Sequence, residues 1–296
     1  MDRLTLPGRT KPYVMAHRGN RVLCPENTLA SFSKAFLEGA DILETDLHLS
    51  ADGVFMCIHD ATVDRTTDGS GPVAEKTLAE LKALSASYGF CGYENERIPT
   101  LAETASILPA DVALALELKT DRFLEPEICN RLASELRAAG IFERTIVLSF
   151  SLPRLQEVQA VEPAIPMGWI TMAKLRPHPA PEVLGPFWPA VFLNPCFVRR
   201  AHKRQQLVCP LDPTPDSRLW YYKLLNCDAI VTDNPPVTGG WKQTLQPLCP
   251  FDPECKPAIR SPHGCKTNAF KQDLTDPPGC REDERAPFRK KPGACP

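Results

Sequence analysis

Residues 13–60 read YVMAHRGNRVLCPENTLASFSKAFLEGADILETDLHLSADGVFMCIHD, and their pattern decides the fold class. A short apolar run at 13–16 meets a polar turn. Residues 28–38 (TLASFSKAFLE) then carry apolar side chains at helical spacing, and residues 42–47 (ILETDL) return to an extended run. Strand, helix, strand is a βαβ unit, whose two strands lie parallel. Residues 54–58 (VFMCI) follow after only the Ser-Ala-Asp-Gly turn at 50–53, and a turn that short joins antiparallel neighbours. The spacing therefore predicts a strand that rises past the sheet and folds back as a hairpin, bringing His59 beside Asp46.

The alternation continues outward from this stretch. Extended runs at 112–118, 145–149, 167–170, 190–193, 206–211 and 229–232 bring the parallel strands to eight, with helical patterns at 125–139, 152–161 and 217–225 between them. Eight such units predict an α/β fold of the (β/α)8 TIM-barrel type. Residues 60–110 are rich in turn signals, hold short helical pieces at 77–84 and 101–108, and read as an insertion after the second strand, on the face where such barrels carry their sites. The expected organisation is a barrel domain over 1–242 and a Pro/Cys-rich, disordered tail over 243–296.

Composition narrows the function classes. The chain has 296 residues, 43% hydrophobic, with 34 Lys/Arg against 36 Asp/Glu. That balance argues against a nucleic-acid partner, and no apolar run reaches the length of a membrane span. The first residues, MDRLTLPGRTKPYV, have no apolar signal-like segment, so the expected location is cytoplasmic. Cysteines such as Cys57 and Cys209 sit in apolar runs as small hydrophobes, and the seven outside the tail require no disulfide. The tail cysteines lack the paired Cys-x2-Cys spacing of a zinc site.

Four segments place unusual polar residues at strand ends: His17-Arg18-Gly19, Glu44-Thr45-Asp46, His59-Asp60 and Glu117-Leu118-Lys119. A lone histidine at a strand end is more often a hydrogen-bonded surface residue than a catalyst. Glu44 and Asp46 are harder to dismiss, because the period of two in a strand puts both carboxylates on one face. Buried together they need a cation, and with Glu117 they make an all-oxygen set suited to one divalent ion, Mg2+ or Ca2+. Arg18 and Lys119 add fixed positive charge for a phosphate. His17 and His59 can serve as base and acid. The constellation reads as metal-assisted phosphodiester cleavage.

The stretch from His17 to Val73 strongly resembles the glycerophosphodiester phosphodiesterase family, which has His-Arg-Gly, Pro-Glu-Asn-Thr, Glu-x-Asp and His-Asp in this order at similar spacing. The likeness runs on through Glu117-Leu118-Lys119 to Thr232-Asp233-Asn234-Pro235, covering about residues 13–236. It implies a (β/α)8 barrel with His17 and His59 as the acid/base pair, Glu44, Asp46 and Glu117 as metal ligands, and Arg18 and Lys119 on the phosphate. The implied substrate is a small-molecule glycerophosphodiester, hydrolysed to an alcohol and sn-glycerol 3-phosphate. Asn27 is the expected N-cap of the first helix, and Trp169 a candidate wall for the substrate alcohol. Cys209-Pro210-Leu211-Asp212 stands where many members have Trp-Thr-x-Asn, which points to an altered leaving-group side. The alternative is a lysophospholipase D or sphingomyelinase D-like phosphodiesterase acting on lysophospholipids. A catalytically silent barrel is a third reading, disfavoured by the retained histidines and carboxylates. Oligomeric state is not legible in the sequence.

Overall fold

The computed structural model describes residues 5–244, so the tail from 245 onward and its cysteines lie outside the described residues. Eight strands form one parallel sheet: β1 (Tyr13–His17), β2 (Ile42–Leu49), β4 (Ala113–Leu118), β5 (Thr145–Ser149), β6 (Met167–Thr171), β7 (Val183–Pro186), β8 (Leu207–Val208) and β9 (Ala229–Thr232). A ninth, β3 (Phe55–Cys57), pairs antiparallel with β2 through Leu47↔Cys57, the hairpin expected from the short turn. The parallel order is β8-β7-β6-β5-β4-β2-β1-β9. At the seam between β9 and β8 the Asp228 N–H donates to Val208 O at 2.9 Å, while the Asp228 carboxylate accepts from Val208 N at 2.8 Å. The result is a nearly closed (β/α)8 barrel.

Alternation along the strands sorts side chains between two layers. Met15, Ala115, Leu148, Ile170 and Val231 fill the interior, whereas Leu43, Leu47, Leu114, Leu116 and Val147 face the helices. Truncating a fully buried leucine such as Leu114 or Leu116 costs about 2–5 kcal/mol. The outer helices are α1 (Leu29–Leu37), α3 (Leu101–Ile107), α4 (Pro126–Ala138), α5 (Leu152–Val161), α6 (Trp188–Leu193), α7 (Cys196–His202), α8 (Leu219–Leu224) and α9 (Pro235–Thr244), while α2 (Leu78–Ala83) lies in the inserted segment. That segment has its own small core of Met56, Ile58, Val63, Val73, Leu81 and Ile98. Leu101 and Ala105 of α3 belong instead to the main outer layer, making α3 the barrel's own crossover helix. Among the described residues no helix is long and apolar enough to cross a membrane.

Four local readings change. The run at 190–193 is not a strand but the end of α6, and the strand is β7, VLGP. Pro189 suits the first turn of a helix and cannot donate to a central ladder, and Leu193 at the end of the run is 73% exposed. The run at 206–211 keeps only two ladder residues, Leu207–Val208, since Pro210 interrupts the donors. The N-cap of α1 is Thr28, not Asn27, because its side chain accepts from Ser31 N in a capping box. Finally, Cys91 is disulfide-bonded, contrary to the expectation for the scattered cysteines; Cys24, Cys57, Cys129, Cys209 and Cys227 are buried free thiols.

Candidate active site

The candidate residues converge because the strand register aligns them. His17 at the end of β1 pairs with Glu44, and Asp46 pairs with Glu117 on β4. The hairpin turns back so that Ile58 N donates to Asp46 O at 3.0 Å, leaving His59 on the same rim. After His17 the chain reverses through Arg18 and Gly19, both left-handed at φ 57° and 84°. A Cβ on Gly19 would lie 2.6 Å from the Ser31 backbone carbon, so only glycine fits.

Glu44, Asp46 and Glu117 are all buried and offer carboxylate oxygens within 4.8 Å of one another. Asp46 Oδ2 accepts from Asn27 Nδ2 at 2.9 Å and faces Arg18 Nε at 3.3 Å. Asp46 Oδ1 is buried with no hydrogen-bond partner, its nearest cation being Lys119 Nζ at 3.5 Å. Lys119 donates to Glu117 at 3.0 Å. Burial first, then the charges of Asp46 and Glu117, push the Glu44 carboxyl well above the usual range. Burial and Asp46 also raise Glu117. Burial would raise Asp46 too, but Arg18 and Lys119 outweigh it and hold it low. Crowded carboxylates, one of them with a buried unsatisfied oxygen, are a donor set that fits a hard divalent cation.

Each histidine is steadied by a carboxylate. His17 Nδ1 donates to Asp233 Oδ1 at 2.7 Å, and His59 Nδ1 donates to Asp60 Oδ1 at 2.6 Å. A carboxylate can only accept, which leaves Nε2 of both rings free for proton transfer. Burial lowers both imidazoles below their ordinary range; the bonds to Asp233 and Asp60 oppose that shift without cancelling it.

Glu26 is the hub that the sequence under-read. It accepts from Arg18 at 2.9 Å and Arg65 at 2.7 Å, and Arg21 lies 3.2 Å away. Burial would raise its carboxyl, but the Arg65 hydrogen bond and the charges of Arg18, Arg21 and Arg65 hold it at about 2. Arg65 also bonds Asp60 at 2.6 Å, linking the hub to the His59 loop. Arg65 falls within the His17–Val73 stretch that carries the family likeness, whereas nothing local marked Arg21 or gave Asp233 its histidine.

Trp169 is not brought to the cluster. Gly168 and Ile170 face the barrel interior under His17, Glu44 and Glu117, so Trp169 turns outward against the helix layer and donates to Phe150 O at 3.2 Å. Asp212, in the divergent segment, is committed to the fold: Arg218 clamps it at 2.6 and 2.7 Å, and Tyr222 Oη donates to it at 2.5 Å.

Comparison with known proteins accords with this geometry. The chain is 39% identical over 160 residues to a glycerophosphodiester phosphodiesterase from Caldanaerobacter subterraneus subsp. tengcongensis, a match covering 53% of this chain and 66% of that one, just under two thirds of the relative's length. In structure it is similar to an Oleispira antarctica phosphodiesterase in complex with the product sn-glycerol-3-phosphate, with TM-score 0.68 and 29% identity over 78% of this chain and 97% of that one. A glycerophosphodiester phosphodiesterase from Agrobacterium tumefaciens superposes with TM-score 0.67 and 26% identity, covering 76% and 98% of the two chains. The family model described as "Glycerophosphoryl diester phosphodiesterase family" matches residues 17–237, from the first of the paired histidines past the aspartate that holds it, so the chain belongs to that family.

Proposed function

We propose that the protein hydrolyses glycerophosphodiesters to an alcohol and sn-glycerol 3-phosphate by two-histidine acid/base catalysis with one divalent cation. The observation that carries this reading is the meeting of two carboxylate-held imidazoles with the buried triad Glu44, Asp46 and Glu117. The product bound to the Oleispira antarctica relative supports the same substrate class.

Glu44, Asp46 and Glu117 hold the cation, Mg2+ or Ca2+, which when bound supplies Lewis-acid stabilisation of charge on a phosphoryl oxygen. Arg18 and Lys119 offset the remaining negative charge of the diester. One imidazole takes the proton of the attacking oxygen through Nε2, and the other gives a proton to the departing alcohol. The neutral state that burial favours in the free protein suits the base. A bound phosphodiester anion raises the pKa of the imidazole beside it, which suits the acid.

The test is release of sn-glycerol 3-phosphate from glycerophosphocholine by the purified protein, with EDTA and with added Mg2+ or Ca2+. Metal-dependent release is expected. Cleavage of lysophosphatidylcholine in its place would move the protein to the lysophospholipase D reading, and silence on both would overturn the catalytic assignment.

A further inference from the structure

The step from β6 to β7 lacks the crossover helix that every other parallel step possesses. Residues 172–182 run irregularly instead, with Pro177, Pro179 and Pro181 denying a helix its donors. The segment is stapled to residues that follow α6 and α7. Asn194 Nδ2 donates to Leu175 O at 2.7 Å, Arg204 Nη1 to Pro177 O at 2.9 Å, and Gln206 Nε2 to His178 O at 2.7 Å. It thus forms a strip from the carboxyl end of β6, on the site's rim, to the base of the barrel.

This strip, α7 and the two residues that follow α7 expose six cations, Lys174, Arg176, Arg199, Arg200, Lys203 and Arg204. None forms an ion pair among the described residues. Four of them, Arg176, Arg200, Lys203 and Arg204, line one surface hollow. The single acidic residue between 172 and 206, Glu182, is turned to the barrel, accepting from Met167 N at 3.0 Å. A chain that is slightly acidic overall therefore carries a concentrated positive field on one flank. Beside it stand Met172, Leu175 and Leu193, which are 54%, 46% and 73% exposed.

We propose that this flank is a docking surface for an anionic lipid bilayer. Exposed aliphatic side chains among unpaired cations suit the boundary between headgroups and acyl chains, where apolar groups insert and Lys/Arg meet anionic lipid. A polynucleotide is the lesser match, because stacking on bases calls for aromatic rings and the aromatic residues between 172 and 206 are buried or half-buried. The chain's own residues 245–296 are not the complementary partner, with nine Lys/Arg against seven Asp/Glu.

The test is flotation of the full chain with vesicles of phosphatidylcholine alone and of phosphatidylcholine with one-third phosphatidylserine. Binding to the second and not the first is expected, with loss as salt is raised to about 0.5 M. Arg199→Gln/Arg200→Gln should lower partitioning on the order of thirtyfold. Leu175→Ser/Leu193→Ser should lower it severalfold. Both variants should keep the parent's thermal melt and its turnover of soluble glycerophosphocholine. Equal binding to both vesicles, no binding to either, variants that bind as the parent does, or tighter binding to single-stranded RNA than to vesicles would each overturn the proposal.

Discussion

Asp233 holds His17 Nδ1 at 2.7 Å across 216 residues of sequence, so the end of the last strand orients the imidazole at the end of the first. Barrel closure is what makes this contact possible. Asp233→Asn should reduce kcat on the order of a hundredfold or more while leaving the melt nearly unchanged, because an amide no longer enforces one tautomer. Burial already lowers His17, and Asp233 opposes that. Removing the carboxylate lets the pKa fall further, so the corresponding limb of the pH–rate profile should move to lower pH. A profile that does not move would leave Asp233 a purely structural residue.

Glu26 sets an acid limit on stability. Its carboxyl lies at about 2 against an ordinary 4.5, so between those values the unfolded chain binds the proton and the folded chain does not. Stability from this group is full above pH 4.5 and lost as pH falls toward 2. Glu26→Gln should cost about 3 kcal/mol near neutrality, because Arg18, Arg21 and Arg65 lose their shared counter-charge. The variant should also show a flatter decline below pH 4.5. Urea denaturation across this pH range measures both effects.

The division between what was legible and what was not follows the range of the interactions. Periodicity marked β1, β2, β4, β5, β6 and β9 because each is a run of apolar residues bounded by turns, and the hairpin followed from the length of one turn. The β7 strand escaped because VLGP offers a glycine and a proline where the pattern calls for bulk, while the apolar run of α6 imitated a strand. The triad was readable because Glu44 and Asp46 share a face by spacing alone. The Arg21–Glu26–Arg65 linkage and the Asp233 contact were not readable as a unit, since they depend on which loops meet above the barrel.

His17→Ala and His59→Ala should each abolish turnover without unfolding the protein. Both side chains lie on the rim, and the fold's apolar layers are built without them. Circular dichroism and a melt within a few degrees of the parent would separate lost chemistry from lost structure. Normal turnover in either variant would refute the acid/base pair.

If the triad holds a cation as proposed, cation binding should couple to stability in a direction that can be measured. Burial and the neighbouring charges of Asp46 and Glu117 raise Glu44 well above its ordinary value, so the folded metal-free protein binds a proton that the unfolded chain releases. Repulsion in the triad therefore costs stability at neutral pH, and the cost falls as pH drops and Glu44 is protonated. A divalent cation that binds only the folded form removes the same cost. At a hundredfold excess over Kd it should add about 2.7 kcal/mol, visible as a rise in Tm that EDTA reverses. Glu44→Gln separates the two effects: the metal-free variant should melt above the metal-free parent, yet gain little on adding Mg2+ or Ca2+. If the parent gains no stability from either ion, or the variant gains as much as the parent, the carboxylates do not hold the cation.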